Sequence, residues 1–480
     1  MSLQSLLRSS VLMGGAQAVT MLTGLVRAKV IAAVAGPAGI GLMGVLNAFN
    51  SNLVNVAGWG VGTSAVRTVA SANEAERGRK VAAARQAGAG LAGAGLLLVL
   101  VCLLPVGQLT FASQRYALEL LLAGLAVPCM IATGTWSALL QAGGHLRGVA
   151  GAQVTSSVAG LVLGLPFVLV FGTVGIALSI LIVSVVTAAV TWRAAARLVP
   201  ASGVRPGPGD VSELLRFGVA LQAGNVVGAV AIYLFRVLIL RSHGDDLAAG
   251  LADAGHFHAA YIVAFTLPGV IFSANSSDFY PRVAAAKDET EARVITERQV
   301  RASLLLAVPV LMALLTLGPI AVRILYAEGF EPAAPMVDWL VWSTFCNLVG
   351  WPYAFWVVAR RSKRAVLLSQ SLVGVGMVAF AFLLVPGRGG MGAAMAQSSS
   401  GLLHAVVLVT MARFSTGVWI GRRTLLWAAT ALGALIAGRW SMVFAPSPAW
   451  GVLPAALAAA VCFALGRRFV AADRDEASGT

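Results

Sequence analysis

Residues 148–195 read GVAGAQVTSSVAGLVLGLPFVLVFGTVGIALSILIVSVVTAAVTWRAA, a stretch whose single charged residue is Arg193. As α-helix, at about 1.5 Å per residue, it would be about 70 Å long, more than twice the ~30 Å hydrocarbon core of a bilayer. It therefore divides into two crossings, 148–171 and 174–195, with Gly175-Ile176-Ala177 read as a turn. Outward from it, apolar runs of crossing length recur at 9–35, 39–66, 86–106, 116–141, 214–240, 254–279, 300–322, 334–358, 365–386, 391–412, 424–443 and 448–466, fourteen in all. With 58% hydrophobic and 11% charged residues and a mean hydropathy of +0.85, the chain falls in the membrane class: an all-α integral membrane protein.

The net charge of +15 is arranged by topology and does not indicate nucleic acid. With the N-terminus inside, 26 of the 34 Lys and Arg residues fall on inner loops, five on outer loops, and three, Arg27, Lys29 and Arg236, within spans. This pattern predicts a multi-pass protein with an even number of spans and both termini cytoplasmic, whose basic loops also meet lipid headgroups. The first apolar run is too long for a signal core and reads as a retained span. Cys102, Cys129, Cys346 and Cys462 lie in spans without CxxC spacing and read as small core residues.

A repeat underlies this order. Arg67 closes the second span as Arg282 closes the eighth, 215 residues later, and Arg147 precedes Gly175-Ile176-Ala177 by the same 28 residues as Arg364 precedes Gly392-Ala393-Ala394, an offset of 217. Six spans separate the equivalents, so both copies share one orientation. The expected design is two pseudo-symmetric six-helix bundles, 1–198 and 213–415, around a central cavity, joined by a cytoplasmic linker at 199–212. Residues 416–480 add two helices and a cytoplasmic tail.

The polar residues of the spans form stripes. Asn47, Ser51, Asn55 and Gly58 recur at three- and four-residue spacing, as do Gln397, Ser400, Gly401 and His404; Gln17, Gln153, Gln222, Asn225 and Tyr233 come from other spans. Each taken alone suits interhelical bonding, whereas stripes converging on three cations suit a wet cavity. A charge inside the bilayer costs roughly 2.5–3.5 kcal/mol on insertion scales, so the three cations read as handles for an anionic substrate. Arg27 and Lys29 project about 200° apart, so only one can face a cavity squarely. Snorkelling to the outer headgroups is the alternative for Arg27, Lys29 and, above all, Arg236. Arg67, Asp278 and Arg282 mark the cytoplasmic mouth, where an Asp278–Arg282 ion pair competes with a coupling-ion site. Pro128, Pro166, Pro268, Pro309 and Pro352, and glycines such as Gly160 and Gly164, allow kinked, closely packed spans.

No P-loop, HExxH, zinc-spaced Cys/His set or GxSxG elbow is present, so neither a nucleotide-hydrolysing engine nor a cofactor or metal is expected. A membrane polymerase or ligase would draw on Asp245, Asp246 and Asp253 of the longest outer loop. A multidrug exporter of cations would want acidic residues in its spans, where carboxylates are scarce.

The chain resembles the Wzx-type oligosaccharide-lipid flippases of the polysaccharide-export branch of the multidrug/oligosaccharidyl-lipid/polysaccharide exporter superfamily. The resemblance rests on Lys29 followed by Gly36-Pro37-Ala38-Gly39-Ile40-Gly41, on Ala65-Val66-Arg67, on Arg236, and on Phe279-Tyr280-Pro281-Arg282, and covers about residues 5–415. It implies a substrate of undecaprenyl-diphosphate-linked oligosaccharide, moved to the periplasmic leaflet for O-antigen, exopolysaccharide or capsule assembly. The diphosphate would meet Arg27, Lys29 and Arg236, the Asn and Gln stripes would meet sugar hydroxyls, and the tail would stay in lipid, with spans 13 and 14 as a candidate surface for it. Polysaccharide polymerase and chain-length machinery are the implied partners. The two extra spans match the fourteen-span members, among them the related lipid II flippases.

Overall fold

The computed structural model describes residues 3–199, 203–207, 209–269, 279, 282–360, 363–416, 420–444 and 447–478. Among them the chain is all helix and turn. The two longest helices are α1 (Leu3–Ala57, 55 residues) and α6 (Leu146–Leu198, 53 residues), and each contains one non-helical residue, Gly36 (φ 62°) and Gly172 (φ 56°). Only glycine visits that region without a steric penalty, and Pro37 adds to the break. Each long helix is thus two spans, as the run lengths predict, but the break in α6 falls at Gly172 and not at the expected Gly175-Ile176-Ala177 turn, whose residues are helical and buried because Gly175 packs against the Phe167 carbonyl. In α6 the halves fold back together: Gly160 lies against Val183 and Gly164 against Ser179, residues equally placed about Gly172. A Cβ at Gly160 would approach Val183 to 2.9 Å, so glycine sets this close approach.

The other helices are α2 (Val61–Ala70), α3 (Glu74–Phe111), α4 (Ala117–Gly124), α5 (Ala126–Ala142), α7 (Asp210–Arg241), α8 (Leu247–Tyr261, continued by a π turn Ile262–Thr266), α9 (Glu289–Leu325), α10 (Ala333–Arg360), α11 (Lys363–Leu384), α12 (Gly389–Thr416), α13 (Arg422–Ser441) and α14 (Val452–Ser478). Large apolar side chains such as Leu97, Val101, Val170, Leu383 and Phe463 are exposed along them. That surface is costly in water and normal against lipid chains, which are as apolar as leucine.

Two expected spans differ. The 116–141 run is interrupted at Leu125, between α4 and α5. The 39–66 run is not a single helix: α1 stops at Ala57, Trp59 (φ 44°) and Gly60 (φ 64°) turn left-handed, and α2 starts afresh at Val61. The reason is tertiary. The turn presses onto α7 at Gly218, where a Cβ would collide with the Trp59 carbonyl oxygen, and a Cβ on Gly60 would stand 2.5 Å from the Gly218 oxygen. Backbone thus meets backbone at a point that a continuous helix would hold apart. Arg67, expected at the end of a long span, rides on the short α2 instead.

The chain forms two compact units, Met1–Gly255 and His256–Thr480. The first takes in α1 to α7 and most of α8, so it extends beyond residue 198, the expected end of the first bundle. Helix α7 packs there on α1, α2 and α3.

Equivalent features recur at the spacing read from the sequence. Asn73 caps α3 by accepting from the Glu76 N–H at 2.9 Å, and Asp288 caps α9 by accepting from the Glu291 N–H at 2.8 Å, 215 residues later. Gly172 and Gly387, both with positive φ, are also 215 apart. Gly175 abuts the Phe167 carbonyl and Gly392 abuts the Leu384 carbonyl, each pair displaced by 217. The same local geometry is built twice.

Candidate functional site on the inner face of α7

Helix α7 packs on α1, α2 and α3 and meets them through a series of polar contacts along its length. At its start, Asp210 forms ion pairs with Lys80 Nζ at 3.0 Å and Arg79 Nε at 3.0 Å, and Glu213 accepts from Lys80 at 2.7 Å. One turn on, the Arg67 guanidinium stacks 4.1 Å from the Phe217 ring centroid. Further along, Gln222 Nε2 donates to Asn55 Oδ1 at 2.6 Å, and Asn52 Nδ2 donates to the Ala229 carbonyl at 3.1 Å. Tyr233 and Thr110 share a hydroxyl hydrogen bond of 2.6 Å. At the far end Arg241 donates to the carbonyls of Gln108 and Leu109 at 2.7 and 2.8 Å, the last turn of α3. The Gln108 carbonyl also accepts from the Ala112 N–H that caps the helix, at 3.1 Å, and an arginine suits the carbonyl end of a helix.

The electrostatics at the Asp210 end follow from this arrangement. The Lys80 ammonium, and next the Gly207 backbone N–H at 2.7 Å, hold the Asp210 carboxyl below the usual carboxylate range.

The expected cations are placed differently from one another. Arg236 is buried in α7, 5% exposed, with Nη1 donating to the Ile232 carbonyl one turn back at 3.1 Å. Arg27 is half-buried and Lys29 exposed, as two residues on opposite helix faces must differ. Both lie before the Gly36 kink, whereas the bonds from α1 to α7 come from Asn52 and Asn55 beyond it. Arg27 makes no hydrogen bond or ion pair among the described residues.

Of the expected polar set, the structure pairs Asn55 with Gln222 and joins Gln17 to Gln153, whose amide donates to the Gln17 oxygen at 2.8 Å. Asn47 is half-buried and Ser51 exposed. In the second unit, His404 hydrogen-bonds Asn347 at 2.9 Å, and Gln397 is buried in α12, its backbone oxygen accepting from Ser343 at 3.0 Å. Arg282 is exposed. Asp278 and the side chain of Asn225 lie outside the described residues. Sequence reasoning missed Asn52, Thr110 and Asn347. Asn52 stands three residues before Asn55, a helical neighbour that the 47-51-55 stripe passed over, and Thr110 and Asn347 are ordinary span residues until a partner helix is in place.

The polysaccharide biosynthesis protein family model matches residues 6–287. A Shigella flexneri protein described as "Putative O-antigen transporter" is 24% identical over 325 residues, covering 66% of this chain and 75% of that one. The fold is similar to the lipid II flippase MurJ in its inward closed conformation, with a TM-score of 0.75 at 13% identity over 96% of this chain and 99% of that chain. It is also similar to an inward-facing multidrug resistance MATE family transporter of the MOP superfamily, with a TM-score of 0.62 at 16% identity over 87% and 96% of the two chains. By the family match over more than half of its length, the chain belongs to the polysaccharide biosynthesis protein family, as a multi-pass membrane protein with a transporter fold.

Proposed function

We propose that this protein carries polyprenyl-diphosphate-linked oligosaccharide units from the cytoplasmic to the periplasmic leaflet of a bacterial inner membrane, for O-antigen, exopolysaccharide or capsule assembly. The observation that carries the proposal is the sign and placement of the buried charge: Arg27, half-buried in an apolar helix with no carboxylate partner among the described residues, and Arg236, buried in α7. A cation held in that setting favours an anion as its occupant, and a diphosphate offers one. Arg supplies a planar fork and Lys29 a point charge.

In this reading the two bundles, 1–198 and 213–415, rock about a cavity that opens to each side in turn, and the cations lower the cost of taking the diphosphate through low dielectric. The doubled cap and glycine geometry supports such a repeat. Gln17, Asn47, Ser51, Asn55, Gln153, Gln222, Asn225, Tyr233, Gln397 and His404 supply sugar hydrogen bonds, the paired ones by exchanging a protein partner for a hydroxyl. Polymerase and chain-length proteins would take over the product at the outer leaflet.

The test is surface glycan display in a strain lacking the gene, complemented with wild type, Arg27→Ala, Lys29→Ala or Arg236→Ala at matched membrane abundance. Loss of display with lipid-linked units retained on the cytoplasmic side is the expected result for Arg27 and Arg236. Normal display by all three variants would return the cations to a packing role and reject the mechanism.

A further inference from the structure

The inner end of α7 is held down at successive levels within the first unit. Asp210, its side chain 9% exposed, pairs with Lys80 Nζ and Arg79 Nε, each at 3.0 Å, and Glu213 takes Lys80 at 2.7 Å. Beneath these charges Leu214, with Val211 and Leu215, covers an apolar core that includes Val61 and Val69 of α2 and Val81 of α3. Next the Arg67 guanidinium stacks on Phe217, and then the Gly218 backbone meets that of Trp59 and Gly60. Beyond Gly218 the next polar contact, Gln222 with Asn55, is between neutral groups.

The charged level is not part of the repeated geometry. The helix caps Asn73 and Asp288 align α3 with α9 at an offset of 215, which sets Val294 and Ile295 where Arg79 and Lys80 stand. The second copy of the helix folds without either cation.

By sequence α7 opens the second bundle, whereas its inner end is packed on α2 and α3 of the first. A rocking of the two bundles has to part these contacts in every cycle. Apolar faces that part at the edge of a bilayer are covered by lipid chains, which are as apolar as leucine, so they resist opening weakly. The ion pairs resist more, because each loses a charged partner to which it is directly hydrogen-bonded.

We propose that Asp210 and Glu213 of α7, with Arg79 and Lys80 of α3, form a latch that holds the inner end of α7 closed on α2 and α3 and releases in each transport cycle. The need for release rests on the function proposed above; the hold on α7 does not.

The test uses the full chain with Cys102, Cys129, Cys346 and Cys462 replaced by alanine and one reporter added, Val69→Cys, at a position 1% exposed beneath α7. In lipid nanodiscs, its rate of reaction with a membrane-impermeant maleimide follows the fraction of open molecules. Asp210→Asn combined with Glu213→Gln should raise that rate about tenfold. Ala195→Cys, a reporter in the neighbouring core of α5 and α6, should react equally slowly with and without the latch charges. An unchanged rate at Val69→Cys, or an equal rise at both reporters, would overturn the proposal. In proteoliposomes, a cleavable crosslink between Lys80→Cys and Glu213→Cys should stop the flipping of a polyprenyl-diphosphate-linked oligosaccharide, and cleaving it should restore the rate. Undiminished flipping with the crosslink in place would also overturn the proposal. A wild type that flips no such lipid would reject the proposed function, while the tenfold difference in labelling would still support the hold on α7.

Discussion

Gln222 Nε2 donates to Asn55 Oδ1 at 2.6 Å, tying α7 to the second half of α1 across 167 residues of sequence. Interhelical polar pairs in membrane proteins couple by about 0.6 kcal/mol on average and about 1.7 at most, because polar groups in the unfolded membrane state also find partners. The two single variants Asn55→Ala and Gln222→Ala are expected to lower thermal stability, and the double variant to cost less than their sum by an amount in that range. A double-mutant cycle in detergent or lipid measures it. A coupling near zero would mean that the pair does not form.

The Asp210 cluster predicts a dependence on acid. Its carboxyl is held below the ordinary range chiefly by the Lys80 ammonium, so the folded state binds its proton less readily than the unfolded chain does. The stabilisation is complete above the ordinary carboxylate value of about 3.9 and disappears as pH falls through the lowered folded value. Asp210→Asn should therefore cost about 1 kcal/mol near neutral pH, a figure discounted for the partial exposure of Arg79 and Glu213. The cost should fade at the acid end of a series of thermal melts. A variant that loses as much stability in acid as at neutrality would refute this account.

Gly41 and Gly255 mark where α1 and α8 cross at backbone contact, the former against the Leu251 carbonyl and the latter against the Pro37 carbonyl. Gly41→Ala forces the helices apart and should cost about 3 kcal/mol, or prevent folding, since over-packing at a rigid contact cannot be relieved by a side-chain shift. Gly90→Ala, in α3 with nothing near its would-be Cβ, is expected to gain about 0.5–1 kcal/mol from helix propensity. Thermal melts of the two variants side by side decide whether the crossing is as tight as described.

Arg236 distinguishes charge from geometry. If its guanidinium grips a diphosphate through two oxygens, Arg236→Lys should reduce glycan display about tenfold at matched abundance, and Arg236→Ala should abolish it. Equal activity of the lysine and arginine forms would leave a point charge as the whole requirement. Equal activity of all three would place Arg236 outside the transport step.

The spans, their order and the break at Gly36-Pro37 were legible because apolar length and helix-breaking residues are local properties, whereas the break in α6 fell at Gly172, three residues before the turn expected at Gly175-Ile176-Ala177. The structure adds the Asn73 and Asp288 caps at the same offset as the repeat, which was legible in the spacing of Arg67 and Arg282 and of the Gly175 and Gly392 motifs. The break at Gly58-Trp59-Gly60 was not, because the apolar run continues through it and only the approach of Gly218 from α7 makes a turn there favourable. The partners of the site residues were hidden in the same way. Helical spacing says which face Asn55 lies on, but not that Gln222 will stand opposite, nor that Asn52 will reach the Ala229 carbonyl.

By itself, then, the sequence determined a membrane-spanning, all-helical, internally repeated chain with cations where lipid would exclude them, since solvation and helix periodicity act residue by residue. Only the tertiary structure decided which polar groups pair along α7, where the 39–66 span breaks, and that α13 and α14 pack against α9. Those outcomes depend on contacts between residues more than a hundred positions apart, and side-chain chemistry alone carries no record of such distances.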